Sequence, residues 1–440
     1  MLGGFGPACA SIYVVDTVGD PGPAGSTSLR EAIAAASASD GNIVKFDADL
    51  VGSTITLQQG QIQVFVHHDF AIEGRGSRAL AISGGDQSQI FVFSQLAVFA
   101  EPRHKITISG LTLEHGRYTA LPPGGFNASP NFAGGALYSK YADIALNDIV
   151  ITGCHSDHAG GAIQLLYTAS LTMHDGRIVD NHAGTNGGGI GVMHGGNVYL
   201  YDSTISGNTA YRKGGGIYVD EGNIFRVNRS LIANNTINAP RDGNDVQAGG
   251  GIALLAVAQE TTITNSTISG NFTYAAGGGI SLMDATTSDH TKIWFSTIAD
   301  NYGGYRESSS GMHSTGAVKL NSTIIAGNSN RGDTFDLDGT VSASHSLIGN
   351  AQGAVVTGSA NLIGVDPQLG PLKDNGGPTL TKMPAAAGPA IGTADGGTGI
   401  VVDQRGQPRT TGPFSAGNDI GAVERQLVED LIFRNNFEFY

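Results

Sequence analysis

The chain is 440 residues long and 66 of them are Gly, about twice ordinary usage, while 14% are charged and 40% hydrophobic. No apolar run reaches the roughly 18 residues that span a membrane, and a net charge of −14 excludes a general nucleic-acid binder, which needs a basic face to neutralise phosphates. Two cysteines, Cys9 and Cys154, are too few for a disulfide scaffold and lack metal-ligand spacing.

The first predicted element is a helix. Ser28 and Glu31 stand at capping-box spacing and open Leu29-Arg-Glu-Ala-Ile-Ala-Ala-Ala36, apolar on one face. Residues 1–50 therefore read as an N-terminal strand and a helix that caps the open edge of a strand stack.

Residues 51–350 read as a solenoid. A Gly-Gly-small-aliphatic tetrad places Leu137, Ile163, Ile190, Ile217, Ile252 and Ile280 in equivalent positions, at steps of 26, 27, 27, 35 and 28. A second signal runs in step and usually ends in Asn, as in Ser206-Gly-Asn208, Ser269-Gly-Asn271 and Ala326-Gly-Asn328. The stretches between are short, β-branched and alternating, so each coil reads as three short strands with Gly and Asn corners. That pattern predicts an all-β, right-handed parallel β-helix with coils about 4.8 Å apart.

Two corners between the Asn and the Gly-Gly tetrad are long, residues 117–133 and 236–248. Lying four coils apart at the same corner, they would rise as walls roughly 19 Å from each other. The corners between them are His155-Ser-Asp-His-Ala159, His182-Ala-Gly-Thr-Asn186 and Thr209-Ala-Tyr-Arg-Lys213. Residues 27 apart stack, which sets His155 over His182 and aligns His158 with Arg212. On the next strand the outward positions are Tyr138 and Lys140, Gln164 and Leu166, Gly191 and Met193, Tyr218 and Asp220, and Tyr141, Tyr167, His194 and Glu221 line its end.

The period fails beyond about Asn350, where Pro becomes frequent, so 351–425 reads as an irregular C-terminal cap. Residues 426–440 form an apolar, aromatic tail that packs on the domain or serves in sorting.

Three segments resemble known proteins. Tyr13-Val-Val-Asp-Thr with Ser28-Leu-Arg-Glu-Ala-Ile33 is similar to the opening of secreted bacterial β-helix proteins with a CSLREA signature, Thr27 standing where that signature has Cys. Asp366-Pro-Gln-Leu-Gly-Pro-Leu372, Asp374-Asn-Gly-Gly-Pro-Thr379, Asp403-Gln-Arg-Gly406 and Asp419-Ile-Gly-Ala422 resemble the choice-of-anchor Q class. The tail around Ile432-Phe-Arg434 is similar to tails of exported proteobacterial proteins. The resemblance implies a secreted or cell-surface bacterial protein, and Met1–Cys9 has no basic and apolar leader, so a removed leader is expected. Related β-helices include polysaccharide lyases, glycoside hydrolases, epimerases and adhesins, so fold alone does not settle function.

The residues of the walled corner suit a lyase of an acidic, uronic-acid-containing polysaccharide. Such an enzyme neutralises a carboxylate, removes the adjacent proton and protonates the leaving oxygen. Arg212 is assigned to the first step, His182 or Lys213 to the second and Tyr211 to the third. Substrate binding is assigned to Tyr138, Lys140, His155, His158, Gln164, His194, Tyr218, Asp220 and Glu221, and a basic run of Arg212, Lys213, Arg226, Arg229 and Arg241 supports it. The alternatives are a non-enzymatic adhesin or glycan-binding β-helix, and a glycoside hydrolase whose carboxyls would come from the Asp148, Asp175 and Asp202 column. Those three Asp also read as turn caps. No metal is assigned to the site and no cofactor is required; Ca2+ is the ion that column would take. The expected partner is a polysaccharide and the expected state a monomer. Cys154, on the Asn ladder beside His155, reads as a small ladder replacement rather than a thiol nucleophile.

Overall fold

A computed structural model describes residues 10–95, 103–119, 133–239, 248–257, 259–283, 290–303, 309–330, 335–409 and 417–426. The walls 120–132 and 240–247, with Arg241, the tail 427–440 and Cys9, lie outside the described residues.

The alternating stretches form parallel strands stacked coil upon coil, a parallel β-helix. The strand after the Gly-Gly tetrad runs in register from Ile62–Phe65 through Leu137–Lys140, Ile163–Leu166, Ile190–Met193 and Ile217–Asp220 to Met312–Ser314. Ile163, Ile190, Ile217, Ile252 and Ile280 point inward, each fully buried, and a single apolar column fills the interior. Two-residue strands such as His155–Ser156 and His182–Ala183 form a second sheet. The third sheet is split at a bend: Asp143–Thr152 runs straight through it, while the next coil has Ser170–His174 and Arg177–Val179. A coil therefore carries four strand segments in three sheets, one more than the three strands the sequence pattern distinguishes: the addition is the corner strand, such as His182–Ala183, whose two residues are too few to show an alternation, while at the bend the left-handed Asp175 shifts the buried positions from Leu171 and Met173 to Gly176 and Ile178.

The corner Asn residues are buried and bonded to each other. The Nδ2 of Asn181, Asn208, Asn235, Asn271 and Asn301 each donates to the Oδ1 of the next coil's Asn, at 2.9–3.0 Å. Asp336 ends the ladder by accepting from Asn328 Nδ2 at 2.8 Å. A Ser ladder runs beside the bend, Ser203, Ser230 and Ser266 donating through their N–H groups to the hydroxyls of Ser230, Ser266 and Ser296. Glycine is required where the corner re-enters the strand. Gly187 has φ +66°, and a Cβ there would sit 2.3 Å from the Ile190 carbonyl oxygen.

At the N-terminal end the helix Leu29–Ala36 forms as its capping box predicts, and Leu29, Ala32, Ile33 and Ala36 are buried against the first coil. The other end differs from expectation. Coil pairing continues past residue 350, with Gly339–Ser344 in register with Ala354–Ser359 and Leu347–Ile348 with Leu362–Ile363. The segment expected to cap the stack instead lies along its flank. Thr379 Oγ1 and Gln404 Nε2 donate to the Arg229 and Ser230 carbonyls, the Thr267 hydroxyl donates to Gln404 Oε1, Arg409 Nη2 donates to Asn265 Oδ1, and Gly421 N–H donates to the Ser322 carbonyl. Pro and Gly break the period of this segment, but its buried polar groups find partners on the bend column rather than on the terminal coil.

Candidate functional site

The short corners bring the imidazoles together. Parallel pairing aligns Arg117, His155, His182, Thr209 and Thr236 in one outward column, while Ser156, Ala183 and Ala210 form the buried column beside it. The rings of His155 and His182 stack at 4.9 Å and 21°. His155 Nε2 lies 2.9 Å from Asp157 Oδ1, and His182 Nδ1 shares a 2.7 Å hydrogen bond with Thr209 Oγ1. Burial, followed by the charge of His155, pushes the His182 pKa below the ordinary imidazole value, so its ring is neutral at pH 7. The sequence pattern assigns no role to Asp157 or Thr209. Their signal was the register itself, since Thr209 is 27 residues past His182 and Asp157 shares a strand face with His155.

The remaining corner residues occupy the same face, positioned by main chain. Thr185 N–H donates to the His158 carbonyl and Arg212 N–H to the Thr185 carbonyl, so His158 and Arg212 lie in one column. The ring of His158 is 6.0 Å from that of Tyr118. Tyr211 N–H donates to the Ala183 carbonyl, its side chain is 43% exposed, and Lys213 bridges Asn186 and Ala248 in adjacent coils. The structure thus brings His155, Asp157, His182 and Thr209 into contact, with Tyr211, Arg212 and Lys213 one coil spacing away.

The strand positions expected to line the cleft divide. Tyr138, Gln164 and Tyr218 point away from the apolar core, as the register requires, yet they are buried. The left-handed glycines fold each corner back over the start of its strand, a Cβ at Gly160 falling 2.9 Å from Gln164 Cβ. Gly191 makes room for the Gln164 amide, since a Cβ there would be 2.4 Å from Oε1. Tyr218 Oη donates to Asp220 Oδ2 at 3.0 Å, and burial, then the Asp220 charge, raises its pKa above that of a free phenol. These three residues are not on the surface where the sequence pattern set them, because alternation reports which side of the strand a residue occupies and not what covers that side.

The end of the strand is open. Tyr141, Tyr167, His194 and Glu221 all adopt left-handed φ and stack outward. The Tyr141 and Tyr167 rings are 4.9 Å apart, those of Tyr167 and His194 5.5 Å, and His194 Nδ1 is 3.1 Å from Glu221 Oε2. Lys140 Nζ lies 5.3 Å from the Tyr167 ring centre. This ledge is separated from the imidazole corner by the four residues of Ile163–Leu166, about 13 Å of strand.

Several expectations about charge change. Arg226 is held by Glu260 at 2.8 and 2.6 Å, which brings the Glu260 pKa down to about 2, and Arg229 is held bidentately by Asp202 at 2.7 and 2.5 Å. Both lie in the third sheet and its bend, so neither adds free positive charge to the corner. In the acidic column Asp148 accepts from the Ser77 hydroxyl at 2.6 Å, and Asp148, Asp175 and Asp202 all have left-handed φ. They are bend residues, Asp148 bonded to Ser77 and Asp202 to Arg229. Cys154 is buried at the end of the Asn ladder, its N–H donating to Asn181 Oδ1, and burial pushes its thiol up to about 12. Asp40, Asp69 and His104 bring ligand atoms within 4.8 Å of one another. Both carboxylates, however, accept main-chain N–H groups of the next coil, from Asp69 and Lys105 respectively.

Fold and site together define a β-helix repeat protein with an imidazole-bearing polar corner. The family model described as "Right handed beta helix region" matches residues 96–298, and the protein is a right-handed parallel β-helix, as the sequence pattern predicts. No curated protein matches the chain. Among solved structures it is similar to the crystal structure of pectate lyase Pel9A at 14% identity and a TM-score of 0.46, covering 94% of this chain and 96% of that one.

Proposed function

We propose that this β-helix acts on an acidic polysaccharide and cleaves it by β-elimination at the corner formed by residues 155–158, 182–186 and 209–213. The observation that carries the reading is the state of His182: half-buried, stacked on His155, bonded through Nδ1 to the Thr209 hydroxyl and held neutral. With Nδ1–H donating to Thr209, Nε2 keeps the lone pair that removes the proton beside a uronate carboxylate. Arg212 neutralises that carboxylate, favouring the enolate-like charge that develops, and Tyr211 protonates the departing glycosidic oxygen. Lys213 stands beside them as a second cation. The bond between the sugar ring carbon and the leaving oxygen breaks as the ring double bond forms, so each cut leaves one unsaturated end and one new hydroxyl.

The test is absorbance near 235 nm during incubation with a panel of uronic-acid polymers, for the wild type and for His182→Ala and Lys213→Ala. A rise that His182→Ala abolishes supports the reading; no rise on any polymer, with no new reducing ends on neutral glycans, overturns it. A second reading, a glycan-binding β-helix without chemistry, is favoured by the outward ledge of Tyr141, Tyr167 and His194. It predicts retention of polysaccharide without cleavage.

A further inference from the structure

The flanking C-terminal segment contains a concavity of about 790 Å3, within the usual range for small-ligand sites. Its floor is the two-stranded antiparallel ribbon of Leu369–Lys373 and Thr381–Pro384, whose register shifts between Leu369 and Leu372. Among the described residues, Lys373, Arg405 and Arg425 line it and no carboxylate does. In a chain of net charge −14 that is a local reversal of sign, and a concave wall focuses the resulting potential.

The three cations are not equivalent. Arg405 is a fixed wall: its Nε donates to Asp403 Oδ2 at 2.9 Å, Nη1 to the Asn375 carbonyl and Nη2 to the Glu424 carbonyl. Asp403 is fully buried and also accepts the N–H groups of Arg405 and Gln407, so this side of the pocket is held rigid before any ligand arrives. Arg425 is anchored at its main chain by Asp419 Oδ2 and at Nη1 by the Pro384 carbonyl, and lines the cavity from there. Among the described residues, neither the Arg425 guanidinium nor the Lys373 ammonium forms an ion pair with a carboxylate. The rest of the lining alternates side-chain amides, Gln368, Asn375 and Gln407 among them, with the apolar surfaces of Pro371, Met383 and Pro384.

We infer that this pocket binds an acidic sugar, with Arg425 and Lys373 taking its carboxylate, the amides its hydroxyls and the proline and methionine surfaces its C–H faces. The ligand class is that of the proposed substrate, so the inference rests on that reading, but the pocket holds and does not cleave. Its residues belong to a segment separate from the His182 corner, one the sequence pattern marked only as a cap.

The test is calorimetric titration with digalacturonate, and with the neutral disaccharide galactobiose as its counterpart. The wild type binds digalacturonate and not galactobiose, the affinity falls as salt is raised, and Arg425→Gln and Lys373→Gln each weaken it about tenfold or more. Both variants keep the rise at 235 nm on polymer, while His182→Ala loses that rise and keeps the calorimetric affinity. Wild type that binds no digalacturonate, affinity unchanged in both cavity variants, or affinity lost in His182→Ala overturns the inference. Lys373 is exposed on the ribbon, so its variant reports on the site even where Arg425→Gln fails to fold.

Discussion

Replacing Asn235 by Ala tests what the corner ladder contributes. Asn235 is fully buried; its Oδ1 accepts from the N–H and Nδ2 of Asn208, each at 3.0 Å, and its Nδ2 donates to the Ile205 carbonyl at 3.0 Å and to Asn271 Oδ1 at 2.9 Å. After truncation Asn208 Nδ2 retains the Ile178 carbonyl and Asn271 Oδ1 retains the Asn235 N–H. The Asn208 N–H and one of the two Asn208 Nδ2 protons are left buried without a partner, and the Ile205 carbonyl loses one bond. At about 1–3 kcal/mol for each stranded group, the loss is about 2–6 kcal/mol, before any contribution from the small cavity. The measurement is the guanidinium unfolding midpoint together with amide exchange at Asn208, which is expected to accelerate while amides of coils distant from Asn235 do not. A loss below about 1 kcal/mol, or unchanged exchange at Asn208, would refute the view that the ladder holds the corner by its hydrogen bonds.

Four further outcomes are expected. Arg409→Met leaves Glu424 buried without its cation and strips a guanidinium lying 4.0 Å from the Phe295 ring centre; breaking one side of such a pair costs about 3–5 kcal/mol, and limited proteolysis is expected to release the flanking segment first. Asp419 is pushed up to about 6, by burial first and then by Glu424. Because that is above its unfolded value, its ionised form costs stability as pH rises through about 6, so the melting temperature of Asp419→Asn minus that of the wild type is expected to be larger at pH 7 than at pH 5. In a Cys9→Ser background, Cys154 is expected to ignore a thiol reagent at pH 8 and to react fully once unfolded; native labelling would contradict a thiol raised to about 12. The kcat/KM of β-elimination is expected to fall on the acid side with a midpoint below 6.5, the direction in which burial moves His182, and His182→Ala is expected to lower it by about 10²–10⁴. A midpoint above 6.5 would assign the limb to another group.

Much of the architecture is carried by local chemistry and is therefore legible in the chain. The 27-residue step sets His155 on His182 and Thr209 on His182, because parallel strands in register leave no other pairing once the inward Ile column is aligned. The Ser28 and Glu31 capping box and the Asn corners likewise act between residues whose spacing is regular. What tertiary structure alone decided concerns what lies over a surface. Alternation puts Tyr138, Gln164 and Tyr218 outside the core, but the corner glycines bury them. Arg226 and Arg229 read as free positive charge until Glu260, in register with Ile224 on the next coil, and Asp202, one coil back on Arg229's own column, neutralise them. The segment after residue 365 has no repeat to betray its partner, and only burial of Gln404 and Arg409 against the bend shows that it lines the flank rather than the end. Periodic contacts are written into a repeat because each coil meets its copy; contacts between unlike segments depend on shape and desolvation summed over many residues, and no spacing encodes them.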